Sequence, residues 1–158
     1  MTVMPDHELV AELARLPERL EVLLAGRGEE ELRRRPAPDA WSAKEIACHL
    51  RDAARIYHER LFLAATHERP FLPAFDEARL ARDADYQNAD TSRIVPETRS
   101  WREETVALLA ELAPEGWRRT AVHEELGEIT VADMVARMVR HEAEHLRDLA
   151  ALLGTRPV

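Results

Sequence analysis

The chain has 158 residues, of which 46% are hydrophobic and 33% charged, so we expect a soluble globular protein with one domain over residues 1–158. Its formal net charge of -8 argues against partners such as nucleic acids or anionic membranes, because an acidic surface repels phosphates. The sequence shows neither a basic leader with an apolar segment nor an apolar run of about 18 residues, which predicts a cytoplasmic location.

The first half of the chain contains two main helical patterns. The first spans about Asp6 to Ala25 and includes Pro17, which would kink or split the helix. A short helical turn from Glu29 to Arg35 follows. The second helix begins at a capping box, Ser42–Glu45, in which the two end residues satisfy each other's free backbone amides, and it ends near Thr66.

The second half contains two more helices after a long connection. The segment from His67 to about Pro96 holds three prolines and is predicted to be an irregular crossover. The third helix is predicted from about Glu97 to Leu112. The fourth runs from a second capping box, Thr130–Asp133, to about Leu153. We find no convincing strand, so the expected fold is all-α: a four-helix bundle of up-down-down-up order, with the crossover between helices two and three.

Two histidines, His141 and His145, interrupt the apolar stripe of the fourth helix. Their i,i+4 spacing places both imidazoles on one helix face, which is how a helix offers two ligands to one metal ion. His49 lies on the apolar face of the second helix. His49 lies roughly 10 Å from the start of the second helix and His145 roughly 12 Å from the end of the fourth, so the three rings fall at about the same level if these helices are antiparallel neighbours. The sequence therefore predicts a metal site formed by three histidines.

Other residues near these histidines give weaker signals. Cys48 points about 100° away from His49 around the helix, and we expect it to be a buried structural residue. Glu142 and Glu144 flank the histidine face, and each either orients a ligand or faces solvent. His123 lies in the connection before the fourth helix and could supply a fourth ligand. These residues are further candidates for the surroundings of the metal site.

The segment His141-Glu142-Ala143-Glu144-His145 also matches the H-E-x-x-H signature of zinc proteases, in which the glutamate is the general base. The match is incomplete, since no histidine follows His145 and only residues 146–158 remain to supply a carboxylate ligand. Proteases of this type also pair their substrate with a strand, and the sequence predicts none. A zinc protease is therefore a remote alternative.

Two segments resemble the DinB-like family of small four-helix metal proteins. They read Trp41-Ser42-Ala43-Lys44-Glu45-Ile46-Ala47-Cys48-His49-Leu50 and, later, Gly127-Glu128-Ile129-Thr130 leading into His141-Glu142-Ala143-Glu144-His145-Leu146. The resemblance implies a divalent metal, commonly zinc or nickel, held here by His49, His141 and His145. Characterised members include bacillithiol-using thiol S-transferases and a mycothiol-dependent isomerase, and other members are called metal-dependent hydrolases. The family name is shared with an unrelated translesion DNA polymerase, which this short acidic chain does not resemble.

The resemblance implies a metal-dependent enzyme that acts on a small electrophilic molecule by thiol S-transfer or by hydrolysis. The metal would activate a water or a low-molecular-weight thiol as cosubstrate. Asp52, one turn after His49, could orient a ring, and Arg79 or Arg82 could bind a thiol's carboxylates. A noncatalytic metal-binding module of the stress response and a bundle without metal stay open as alternatives. The sequence is compatible with a monomer or a homodimer.

Overall fold

The computed structural model describes residues 6–158, and it divides the first helix in two. α1 covers Asp6–Ala14 and α2 covers Leu16–Leu24. The predicted split is confirmed: Pro17 lies in the first turn of α2, where its missing N–H leaves no helical hydrogen bond unmade. α3 covers Glu29–Arg33, close to the predicted turn.

The two helices that carry the candidate histidines are the longest of those described. α4 covers Ala43–Thr66 and α7 covers Val131–Leu152. Both begin at their predicted capping boxes. Ser42 Oγ accepts a hydrogen bond from Glu45 N–H while the Glu45 carboxylate accepts one from Ser42 N–H, and the pair Thr130–Asp133 repeats this arrangement. The two capping boxes thereby fix the residue at which each helix begins.

Three short strands, which the sequence analysis did not predict, lie beside the helices. β1 covers Phe71–Leu72, β2 covers Thr120–His123 and β3 covers Gly127–Thr130. β1 pairs in parallel with β2, and β2 pairs antiparallel with β3. Strands of two to four residues are too short to show a two-residue alternation in the sequence, which explains why they were missed.

The crossover from 67 to 96 is more ordered than predicted. After β1 it forms α5 (Glu77–Asp83) and a 3-10 turn at Tyr86–Asn88. α6 then covers Thr91–Ala110, so the third bundle helix begins before Pro96 rather than after it. Pro96 removes one backbone hydrogen bond near the start of the helix, and Asp90 caps that end by accepting a hydrogen bond from Ser92 N–H.

The helices form the predicted four-helix bundle of up-down-down-up order, with α1 and α2 together acting as the first bundle helix. α4 packs against α6 and α7, and the α1–α2 pair packs against α6 and α7 as well. The apolar core forms two clusters of buried residues. On α7, the residues of one cluster end at Met138 and those of the other begin at Leu146. The candidate histidines lie in this interval. Nowhere between residues 6 and 158 does a helix combine the length and apolar character needed to cross a membrane.

Candidate metal centre

Three histidines from two helices converge on one point. His49 of α4 and His141 and His145 of α7 each present a ring nitrogen, and the three atoms lie within 4.8 Å of one another. Nε2 of His49 is 2.9 Å from Nε2 of His141. The ring centroid of His145 lies 4.6 Å from that of each other ring. The structure thus brings together the three residues singled out from the sequence.

The donor set and its spacing fit a divalent transition metal. Ligand nitrogens about 2.0–2.1 Å from a tetrahedral zinc ion stand roughly 3.3 Å apart, so the His49 and His141 rings need to separate only slightly. Nδ1 of each of the three rings is buried without a hydrogen-bond partner among residues 6–158. These Nδ1 atoms need partners of their own, whereas a shared cation would be a common partner for the lone pairs that converge at Nε2 of His49 and His141.

Burial keeps two of these imidazoles neutral. It lowers the pKa of His49 to about 3, and the neighbouring His145 and His141 add to the shift. Burial also lowers the pKa of His141 to about 4, again with a contribution from His145. A metal ion coordinates neutral imidazole, so protons compete little for these two rings at neutral pH.

Trp41 packs against the cluster. Its ring centroid lies 5.0 Å from that of His49 and 6.4 Å from that of His145. Because Trp41 directly precedes the capping box of α4, the same local structure that starts the helix also places the indole beside the imidazoles. This contact covers one side of the cluster with apolar surface.

Glu77, the first residue of α5, faces the cluster and was missed by the sequence analysis. Its Oε1 lies 3.7 Å from Nε2 of His49 and 3.8 Å from Nε2 of His141. The side chain remains 46% exposed, so it also reaches solvent. No periodic pattern connects a crossover residue with α4 or α7, and the sequence therefore carried no signal for this contact.

Glu142 neither flanks the histidine face nor reaches solvent, so both predicted roles of this residue are wrong. It is buried and forms an ion pair with Arg102 of α6. Burial raises the pKa of Glu142, and Arg102 opposes that rise. A carboxylate held in the bundle interior cannot act as the general base of a zinc protease, so this alternative loses its key residue. Glu144, by contrast, is exposed and borders the space beside His141.

His123, named from the sequence only as a possible fourth ligand, is not part of the cluster. It ends β2, and its Nδ1 accepts hydrogen bonds from the backbone N–H groups of Glu125 and Leu126 at 3.1 and 3.3 Å. These two bonds hold the ring in the β2–β3 hairpin.

Cys48 and Asp52, the neighbours of His49 on α4, both contact Tyr86 instead of the cluster. Cys48 is fully buried, and burial raises the pKa of its thiol to about 11, which confirms a structural role. Sγ of Cys48 lies 3.9 Å from the Tyr86 carbonyl oxygen, and the Tyr86 hydroxyl donates to Asp52 at 2.7 Å. Asp52 therefore positions the crossover rather than a histidine ring.

A cavity of about 320 Å³ opens beside His141. Its walls come from α4, the crossover, the β2–β3 hairpin and α7. The arginines that line it are Arg60, Arg137 and Arg140, whereas Arg79 and Arg82 lie elsewhere on the crossover. The sequence did hold a signal for Arg137, which precedes His141 by one helical turn on the same face.

The sequence model that describes the DinB superfamily matches residues 12–149 of the chain. The chain belongs to the DinB superfamily. It is 29% identical over 154 residues to "Putative metal-dependent hydrolase OB0413" of Oceanobacillus iheyensis, across 98% of this chain and 88% of that protein. It is 27% identical over 149 residues to "Putative metal-dependent hydrolase OB0782" of the same organism, across 92% of this chain and 84% of that protein.

Two solved structures share the fold of this chain. YfiT from Bacillus subtilis, described as "a probable metal-dependent hydrolase with an unusual four-helix bundle topology", superposes with a TM-score of 0.87 at 20% identity, across 99% of this chain and 93% of that chain. The mycothiol-dependent maleylpyruvate isomerase gives a TM-score of 0.75 at 15% identity, across 98% of this chain and 64% of that chain. These likenesses confirm the bundle predicted from the sequence.

Proposed function

We propose that the protein is a metal-dependent enzyme that transfers a thiol to, or hydrolyses, a small electrophilic molecule. The observation that carries the proposal is the convergence of His49, His141 and His145 beside an open cavity. The relatives named as metal-dependent hydrolases support the metal dependence. Three protein ligands and an adjoining space are typical of catalytic rather than structural zinc sites.

The three histidines would hold one divalent ion, zinc or nickel. Such an ion supplies a Lewis-acidic position that lowers the pKa of a water or thiol bound there. The chain itself contributes the shape of the site. Trp41 closes one side of the cluster, and the cavity beside His141 provides room for the second reactant. The buried thiol of Cys48 is not available as a nucleophile, so a reacting thiol has to come from outside the chain.

Glu77 is the residue best placed to move a proton in this reaction. Its carboxylate lies within 4 Å of two ligand nitrogens and remains open to solvent. We infer that it accepts the proton of the attacking water or thiol and returns it to solvent or to the leaving group. Glu144 borders the same cavity but forms no ion pair with the three histidines, and Glu142 is turned into the bundle.

The second candidate function is noncatalytic metal binding, and the position of Glu77 also favours it. If the Glu77 carboxylate coordinated the ion, four protein ligands would close a tetrahedral site. A closed site has no position for a reactant. The two functions therefore differ in whether a small thiol can reach the metal.

Metal content tests the site itself. Purified wild type, His49→Ala and His145→Ala would be analysed by elemental mass spectrometry, with His67→Ala as a matched control because His67 is exposed and outside the cluster. We expect about one transition-metal ion per chain in wild type and control and a loss in both cluster variants. Equal metal content in all four proteins would contradict the proposal, as would a wild type that binds neither zinc nor nickel.

Reactivity separates the enzyme from the binding module. The protein would be loaded with cobalt and titrated with cysteine and with 2-mercaptoethanol while the thiolate-to-cobalt absorption band is recorded. A new band supports an open position, and the loaded protein would then be screened for conjugation of thiols to chlorodinitrobenzene and for hydrolysis of ester probes. No band with either thiol, together with no turnover, would favour the closed module.

A further inference from the structure

Arg60 is a buried cation beside the candidate metal centre, and no carboxylate within the described chain forms an ion pair with it. The residue is 9% exposed and lines the same cavity as His141. Its Nη2 donates a hydrogen bond to the Pro73 carbonyl oxygen at 2.5 Å. A charge removed from water is costly unless it is paired, so buried arginines normally face a counter-ion or a ligand.

Aromatic rings hold the guanidinium group of Arg60 in place. Its central carbon lies 5.8 Å from the ring centroid of Tyr57 and 5.3 Å from that of Phe75. Such cation–π contacts do not use the lone pair of an acceptor, so the five N–H donors of the guanidinium still need partners. One of these donors is used by Pro73. The others are available to a planar anion that enters the cavity.

Two further donors line the cavity near Arg60. Burial lowers the pKa of His123, and the nearby charges of Arg60 and Arg137 lower it further. Nδ1 of His123 accepts two backbone N–H groups, so the neutral ring carries its proton on Nε2. Arg137 stands one turn before His141 on α7 and also lines the cavity. Two guanidinium groups and one imidazole N–H therefore lie around one space.

The charged residues of the cavity balance only while no metal is present. Three arginines and three glutamates line it: Arg60, Arg137, Arg140, Glu77, Glu125 and Glu144. Their formal charges sum to zero, and a divalent ion at the histidines would raise the sum to +2. The three glutamates, Arg137 and Arg140 are all exposed, whereas Arg60 is buried, so the charge of Arg60 is the least screened by water and the loaded cavity would favour an anionic occupant.

We propose that this cavity binds a carboxylate group of a small substrate, with Arg60 as its main ligand and Arg137 and His123 as supporting donors. The inference deepens the proposed function and rests on it for the reaction itself. Because His141 lines the same cavity, a molecule anchored at Arg60 extends toward the three histidines. The volume of about 320 Å³ lies at the small end of ligand pockets, which favours a short carboxylic acid over a large conjugate.

Nuclear magnetic resonance titrations of ¹⁵N-labelled protein test the inference with matched probes. Succinate and its uncharged analogue succinamide would be added to the metal-free and to the zinc-loaded protein. The variants are Arg60→Gln and, as control, Arg79→Gln, because Arg79 is an exposed arginine that pairs with Asp83 and lies outside the cavity. We expect wild type and control to bind succinate about tenfold more tightly than succinamide, and Arg60→Gln to lose this selectivity.

The titration of the metal-free protein distinguishes failure of the carboxylate site from failure of the proposed enzyme function. A chain that binds no metal but selects succinate through Arg60 would contradict the proposed enzyme and support the carboxylate site. A chain that binds metal but does not distinguish succinate from succinamide would overturn the carboxylate site alone, as would an unchanged selectivity in Arg60→Gln. Should Arg60→Gln fail to fold, Arg137→Gln replaces it, because Arg137 is exposed, and a weaker selectivity is expected there.

A second pair of probes identifies which reactant carries the carboxylate. In the cobalt-loaded protein, 3-mercaptopropionate and 3-mercaptopropan-1-ol would be compared through the thiolate-to-cobalt band. A preference for the acid that disappears in Arg60→Gln supports the site with the thiol as carrier. Equal binding of both thiols, together with succinate selectivity, supports the site with the electrophile as carrier.

Discussion

Arg102 of α6 and Glu142 of α7 form an ion pair inside the bundle, and Glu142 is the residue next to His141. Both side chains are buried, and Nε and Nη1 of Arg102 find no other partner among residues 6–158. The pair ties α6 to α7 at the level of the histidine cluster. It also sets the rotation of α7, because the side that buries Glu142 determines which side presents His141 and His145 to α4.

Replacement of Glu142 should therefore destabilise the fold. Glu142→Gln keeps the size of the side chain but leaves the charge of Arg102 buried without compensation, and we expect a loss of about 3–5 kcal/mol in the free energy of unfolding. Urea denaturation of the metal-free protein measures it. Glu144→Gln is the matched control, since Glu144 is exposed, and should stay within about 0.5 kcal/mol of wild type. Equal midpoints for both variants would contradict the assigned role.

The histidine cluster was predictable because its signals are local. The i,i+4 spacing of His141 and His145, the capping boxes and the predicted bundle order together brought the three rings to one level. The role of Glu142 could not be predicted, because the ideal helix geometry placed this residue only beside the histidine face. In the structure the most buried line of α7 passes through Met138, Glu142 and Leu146, and the two histidines lie at its edge. A stripe of apolar residues with period 3.6 fixes a helix face to within about one residue, which is too coarse for this distinction.

The contribution of the crossover could not be predicted, for a different reason. Glu77 approaches the cluster because α5 packs on α4, and β1 pairs with β2. These contacts join segments that are far apart in sequence and too short for a periodic pattern. Pro96 added a misleading stop signal, because α6 tolerates it close to its N-terminus. Cavity residues such as Arg60 depended on the same contacts and escaped notice for that reason.

The depressed pKa values of His49 and His141 predict how the metal-free protein responds to acid. In the unfolded chain both rings take up protons near pH 6.5, whereas the folded values are about 3 and about 4. Between these limits the unfolded state binds more protons, so stability falls as the pH drops from about 6.5 toward 4. Two such groups give at most about 2.7 kcal/mol per pH unit.

Urea titrations between pH 7 and 4.5 measure this slope. The His49→Ala variant lacks one of the two groups and should lose stability less steeply than wild type, whatever its stability at pH 7. Identical slopes for the two proteins would show that His49 is protonated equally in both states and would remove the pKa argument.

Glu77→Gln separates proton transfer from metal binding. The amide keeps the shape of the side chain but cannot accept a proton, so we expect about one metal ion per chain and a turnover reduced by about 10²–10⁴. Elemental mass spectrometry and the thiol-conjugation assay measure the two quantities. Glu68→Gln, at an exposed residue outside the cluster and the cavity, serves as the control with normal turnover. Release of the metal from Glu77→Gln would instead identify Glu77 as a ligand and favour the noncatalytic module.

Cys48 should be chemically inert in the folded protein. It is fully buried, and burial raises the pKa of its thiol to about 11, so little thiolate forms at neutral pH. Ellman's reagent is expected to leave the native protein unmodified and to react with one thiol per chain in urea, since the sequence contains one cysteine. Rapid reaction under native conditions would show that α4 opens readily around its histidine.

The parallel pairing of β1 with β2 joins the crossover to the hairpin, and these two irregular segments supply much of the cavity wall. The metal-binding candidates, in contrast, all lie on long helices whose starts are fixed by capping boxes. Insertions or replacements in the two connecting segments that keep Glu77 in place can therefore reshape the entrance without moving the three histidines. A bundle divided in this way can acquire new specificities over evolution while keeping one chemistry.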